Sequence, residues 1–147
     1  MSRHVLVGVD GSDQAEKAFE FALGEYADEE ITVLRVLNPR DTGYRTGREA
    51  GADRPDSTFM QRVQEETAFL DEYVERGEKA GVSISSDYKV AYEGGQEARA
   101  IIDYAEDHSV DLIVLGSHGR TGSTRILLGS VAEHVVRRAH IPVMVVR

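Results

Sequence analysis

Short apolar runs alternate with apolar positions at helical spacing along this chain. His4 to Val9, HVLVGV, is a strand-length run. Ala15, Ala18, Phe19, Ala22, Leu23 and Tyr26 then fall on one face of a helix. Ile31 to Leu37, ITVLRVL, is a second strand. Phe59, Val63, Leu70, Val74 and Gly77 predict one longer helix, stopped at Gly81. A third strand is expected over about Ile84 to Ala91, and a third helix on Ala98, Ile101, Ile102 and Ala105. DLIVLG is the fourth strand; Ala132, Val135, Val136 and Ala139 give the fourth helix; PVMVVR closes the chain as the fifth strand.

Runs rich in Val, Ile and Leu predict strands covered on both faces, as in parallel sheets. Strand–helix alternation predicts a doubly wound α/β sheet with helices on both sides. With 147 residues and no internal repeat, one domain is expected. One segment departs from the pattern. Asn38 to Asp56 is polar, with three glycines and two prolines, and is long for a connection. It reads as a mobile insertion at about 38–56 or as a lid. Its four arginines could meet an anion, but acidic residues are interleaved with them.

Composition removes whole classes of function. The absence of cysteine excludes disulfides, thiolate metal sites and a cysteine nucleophile. Neither a signal peptide nor an apolar stretch of roughly 18 residues is present, so a cytoplasmic protein without membrane contact is expected. Acidic residues outnumber basic ones 26 to 17, a net charge of −9, which argues against nucleic acid as a partner. Lysine is scarce, with 3 against 14 arginines. That balance fits a surface hydrated in concentrated salt, or simply an acidic protein.

The chemistry concentrates in GSHGRTGSTRILLGS, Gly116 to Ser130, where four glycines follow the fourth strand. Glycine costs folding entropy, so bare backbone is needed here. Ligands of open parallel sheets bind beyond the carboxyl ends of strands, where strand order reverses. Gly116 and Asp10 both sit at such ends. Ser130 and Glu133 have the S-x-x-E spacing of a capping box, which puts a helix start at Gly129–Ser130. A helix N-terminus offers unpaired N–H groups and partial positive charge, which suits phosphate. Neither a Walker A loop nor a G-x-G-x-x-G fingerprint is present. Ser12 or Asp13 is the expected cap of the first helix. No nucleophile–base pair is apparent, so no catalytic residue is assigned.

Gly116-x-x-Gly119, nine residues, then Gly129-Ser130 resembles the G-2x-G-9x-G-[ST] signature of the ATP-binding universal stress proteins. VGVDGS, GSHGRTG, LLGSVAEHV and PVMVV extend the resemblance over nearly the whole chain. The resemblance implies a five-stranded parallel sheet in order 3-2-1-4-5, an adenine nucleotide alpha hydrolase-like fold. It implies ATP, or AMP, held between strands one and four. Asp10 would lie by the ribose and adenine, Val9 along the adenine pocket, and the Val36 backbone at the adenine edge. Gly116 would lie by the ribose, and His118 and Gly119 along the phosphates. Gly129, Ser130 and Val131 would contact the β and γ phosphates, bridged by Mg²⁺ or Mn²⁺ without protein ligands. Gly8 stands where many ATP-binding relatives carry proline. The family also implies a homodimer through strand 141–146, whose apolar edge invites pairing. The function implied is a nucleotide-binding stress or signalling module, with an unknown protein partner open. A slow metal-dependent ATPase, a nucleotide-free dimeric scaffold and a flavoprotein-like electron carrier are the alternatives.

Overall fold

The computed structural model describes residues 2–38, 57–91, 96–117 and 128–147. Their elements, in chain order, are β1 (His4–Gly8), α1 (Asp13–Glu25), β2 (Glu30–Leu37), α2 (Ser57–Thr67), α3 (Leu70–Ala80), β3 (Ile84–Val90), α4 (Glu97–Asp107), β4 (Leu112–Gly116), α5 (Ser130–Arg138) and β5 (Val143–Val146). The sheet has the order β3-β2-β1-β4-β5 and every pairing is parallel. The predicted doubly wound architecture and its strand order are both present.

Alternation along the strands divides the core in two. Val5, Val7, Ile31, Val33 and Val114 face α1 and α3, whose Ala15, Ala18, Phe19, Ala22, Leu70 and Tyr73 cover them. Leu6, Leu34, Val36, Ile113 and Leu115 face α4 and α5, which contribute Ile101, Ile102, Ala105, Ala132 and Val135. Burying each such large side chain is worth about 1.5–3 kcal/mol. A smaller cluster of Leu37, Phe59 and Val63 seats α2. Arg76 of α3 lies 4.7 Å over the Phe19 ring and pairs with Glu16 and Glu20, locking α3 to α1.

Three expectations change. The long helix predicted from Phe59 to Gly77 is two helices. The Thr67 hydroxyl donates to the Val63 carbonyl at 2.7 Å, and a turn at Ala68–Phe69 separates α2 from α3. Such hydroxyl back-bonding bends helices. The rotation puts Tyr73 in the core and leaves Val74 half-buried. Gly81 does end α3: at φ 73° it closes a Schellman motif, with Val82 N–H on Gly77 C=O at 2.8 Å. Val136 is not on the buried face of α5 but is 47% exposed. Third, β3 is covered incompletely: Ser85, Ser86 and Tyr88 are exposed, because β3 is a sheet edge. The segment expected as an insertion has only Asn38 inside the described residues; 39–56 lie outside them.

Candidate functional site

The strand order reverses between β1 and β4, so the crevice forms where these two neighbours end and their chains turn to opposite faces. On the β1 side the chain leaves the sheet with one last bond, Val9 N–H to Leu34 C=O at 2.9 Å. The Val9 side chain is 3% exposed and packs with Val5, Val7 and Ala15, so only its backbone is offered to the crevice. Asp10 follows in a tight turn: its Oδ1 accepts from Ser12 N–H at 2.9 Å. Gly11 sits at φ 81°, where a side chain would be strained. Ser12 is the N-cap of α1, its Oγ accepting from Ala15 N–H at 3.2 Å. The turn fixes the Asp10 carboxylate and leaves its Oδ2 without a partner among the described residues.

On the β4 side Gly116 pairs with Val146 of β5. A Cβ at Gly116 would lie 2.6 Å from the Gln14 carbonyl carbon and oxygen, and 2.9 Å from Ala15 N. The glycine therefore lets the end of β4 touch the first turn of α1. It fits a need for bare backbone, but the backbone it meets is the protein's own. The Cβ direction at Gly8 is also filled, with the Leu115 Cδ2 methyl 2.7 Å away.

Beyond Gly116, Ser117 N–H donates to Val146 C=O at 2.9 Å, and Ser117 C=O accepts from Gly129 N–H at 2.6 Å. The second bond closes the base of the glycine loop. His118 and Gly119 lie outside the described residues, as do Arg120 and Arg125. The chain re-enters at Leu128, and Gly129 (φ −70°, ψ 164°) is the N-cap of α5.

The expected capping box does not form. Ser130 is the first residue of the helix rather than its cap, and no side chain among the described residues caps this end. Glycine at the N-cap removes the hydroxyl that the S-x-x-E pattern required. The Glu133 carboxylate turns the other way and accepts from Arg137 at 2.6 Å. The first bond of the helix runs from Glu133 N–H to Gly129 C=O at 2.9 Å. The N–H groups of Ser130, Val131 and Ala132 therefore have no acceptor within the helix, while that of Gly129 is already used on Ser117.

Val36, on β2, has its side chain in the α4–α5 core and is 6% exposed. Leu34 C=O faces β1 and Leu37 C=O faces β3, where it accepts from Ala91 N–H. Backbone groups alternate along a strand, so Val36 C=O faces the β1 side, past the end of β1. It accepts instead from the Arg35 guanidinium, at 3.1 Å. Arg35 is the residue that the sequence reading missed. It is 5% exposed. Its other partner is Glu66 on α2, at 3.6 Å. Its Nε has no partner among the described residues, nor does Gln14 Oε1 in the first turn of α1. A lone cation inside ITVLRVL was the available signal.

Val9, Asp10, Val36, Gly116, Gly129, Ser130 and Val131 thus all stand at or beside the carboxyl ends of β1, β2 and β4 and the start of α5. No group of three or more metal-ligating side chains occurs among the described residues. No described helix is long and apolar enough to cross a membrane.

A model described as the universal stress protein family matches residues 1–147. The Bacillus subtilis universal stress protein YxiE is 32% identical over 158 residues, covering 100% of both chains. The solved structure of MJ0577, a universal stress protein of Methanocaldococcus jannaschii, matches with a TM-score of 0.78 at 28% identity, over 99% of this chain and 96% of that one. The Archaeoglobus fulgidus universal stress protein, solved in complex with dAMP, shares the fold: TM-score 0.64, 24% identity, 100% and 98% coverage.

Proposed function

The chain belongs to the universal stress protein family, and on that footing we propose that it binds an adenine nucleotide, ATP or AMP, in the crevice between β1 and β4. The observation that carries the reading is the bare start of α5. Ser130 and Val131 offer N–H groups with no acceptor in the helix, at an end that no side chain among the described residues caps. The helix dipole favours negative charge there. Glu133, in the same turn, would oppose an anion, but Arg137 holds its carboxylate.

Around that end the other residues take separate parts. The Asp10 carboxylate is held by its turn with one oxygen to spare for ribose hydroxyls. Val9 and Val36 present backbone to the base. His118 and Gly119 follow the phosphates, and a divalent Mg²⁺ or Mn²⁺ is carried by the phosphates rather than by side chains. The net charge of −9 repels a nucleotide at long range, but salt at 0.15 M screens that field beyond about 8 Å, so local donors decide. The protein acts as a binding module whose occupancy controls pairing and partner contacts in the cytoplasm. A homodimer forms through strand 141–146, where Val145 joins neither core cluster.

The test uses Ser130→Pro. Proline suits the first position of a helix, and Gly129 already has the extended conformation that a following proline requires. The change deletes one N–H and one hydroxyl without harming the helix. We expect calorimetric ATP affinity to fall at least about tenfold, as for loss of a hydrogen bond to a charged group, with the unfolding temperature unchanged. Equal affinity in the two proteins would refute the phosphate cradle.

A further inference from the structure

β3 ends the sheet on one side, and no other described element pairs with its outer edge. Its sequence ISSDYKV carries Ile, Tyr and Val, which favour strands, over 7 residues. A free edge of this length is a template for a further strand. The ladder to β2 shows which groups are free. Ile31 N–H donates to Ser83 C=O, and Ala91 N–H donates to Leu37 C=O. Backbone groups alternate along a strand, so the odd-numbered residues of β3 serve β2. Ile84, Ser86, Tyr88 and Val90 turn their N–H and C=O outward.

One of these outward donors is already used. Tyr88 N–H donates to Asp87 Oδ1 at 2.8 Å. An N–H has a single hydrogen, so an incoming carbonyl must displace the carboxylate to reach it. The carboxylate is pinned where it stands: Asp87 Oδ2 accepts from the Tyr104 hydroxyl at 2.8 Å. Tyr104 is buried on α4, and its ring stacks on His108 with centroids 3.8 Å apart. Burial, then the bond to Asp87, raises the phenol above its ordinary 10.0, so it remains a donor. Position adds to the block, because Asp87 is the central residue of Ile84–Val90. An antiparallel pair of two β3 strands that engages every outward residue sets each Ile84 opposite a Val90 and each Ser86 opposite a Tyr88. The two Asp87 residues then face each other in a pair whose Cα atoms are about 4.5 Å apart. Like charges directly opposed across strands are destabilising.

We propose that Asp87 closes the β3 edge to a second copy of this chain, by holding the Tyr88 N–H and by setting carboxylate against carboxylate. Growth of the sheet is then left to the β5 edge, and a pair made there is a closed dimer rather than the start of a fibre.

The test removes the carboxylate and its buried donor together, in Asp87→Val with Tyr104→Phe, so that neither polar group is orphaned. Sedimentation at micromolar concentration compares this double variant with the wild type and with Tyr104→Phe, which keeps the carboxylate. Wild type and Tyr104→Phe should hold one mass at every concentration. The double variant, with an unchanged circular dichroism spectrum, should reach about twice that mass or more as concentration rises. A folded double variant with the wild-type mass overturns the inference, as does a Tyr104→Phe protein that associates equally. A monomeric wild type whose double variant dimerises refutes pairing through β5 and leaves this inference standing. If the double variant does not fold, amide exchange in the wild type decides. Corrected for intrinsic rates, Tyr88 N–H should exchange at least about tenfold more slowly than Ser86 N–H on the same edge, as for a bond to a charged group. Equal rates overturn the inference.

Discussion

Replacing Gly116 by alanine adds one methyl group where the structure has no room for it. Its Cβ would sit 2.6 Å from Gln14 carbonyl atoms, whereas ordinary contact begins near 3.4 Å. The first turn of α1 must retreat by roughly 0.8 Å, and backbone cannot rotate aside as a side chain can. Overpacking of this kind costs about 1–3 kcal/mol. Alanine restricts the unfolded chain and returns about 0.4–1 kcal/mol. The middle of these ranges leaves a net loss of about 1–2 kcal/mol. At about 2–4 °C per kcal/mol for a chain of this size, the unfolding temperature should drop by roughly 2–8 °C. Gly8→Ala is the control. Its new methyl meets two side-chain ends, Leu115 Cδ2, which can turn, and Ile101 Cδ1 at an ordinary 3.9 Å, so its unfolding temperature should stay within about 2 °C of wild type. Thermal unfolding by circular dichroism, without nucleotide, reads both. A Gly116→Ala protein as stable as wild type, or a Gly8→Ala protein equally damaged, refutes the backbone-contact account.

Ser12→Ala removes the cap bond to Ala15 N–H and should cost about 1 kcal/mol, measurable by urea unfolding. Burial, then the Glu16 carboxylate, pushes the Tyr73 phenol up from its ordinary 10.0 to about 12. The native state keeps this proton while the unfolded chain releases it, so the stability involved is intact below pH 10 and is lost as pH rises toward 12. Unfolding temperature should fall over that interval less steeply in Tyr73→Phe. Val145→Lys places charge on the sheet edge outside both core clusters; sedimentation should show dimer in wild type and monomer in the variant.

The strands and their alternation were legible because Val, Ile and Leu runs must be buried whichever neighbours cover them. The end of β4 was legible too, since a glycine-rich stretch cannot continue a buried strand. What escaped depended on competition between close alternatives. The Thr67 hydroxyl breaks a helix that the apolar spacing continued. Gly129 takes the cap position that Ser130 matched in sequence. Val136 fits the helical period yet lies past the edge of what α5 covers. Arg35 was hidden by its surroundings: an apolar stretch reads as strand with or without one cation, and only geometry reveals the carbonyl that the cation holds. Gly116 was recognised, but its partner was not, because no spacing in the sequence brings Gln14 to the end of β4.

One residue joins two regions that the sequence keeps apart. Through its C=O, Ser117 holds Gly129 at the start of α5; through its N–H, the same residue extends the ladder to Val146 on the edge strand. Two hydrogen bonds separate the helix end that would meet phosphate from the edge that would meet a second subunit. A displacement at either end would reach the other through backbone alone. Thermodynamic reciprocity would then make the traffic two-way: if nucleotide changes subunit association by some factor, association changes nucleotide affinity by the same factor.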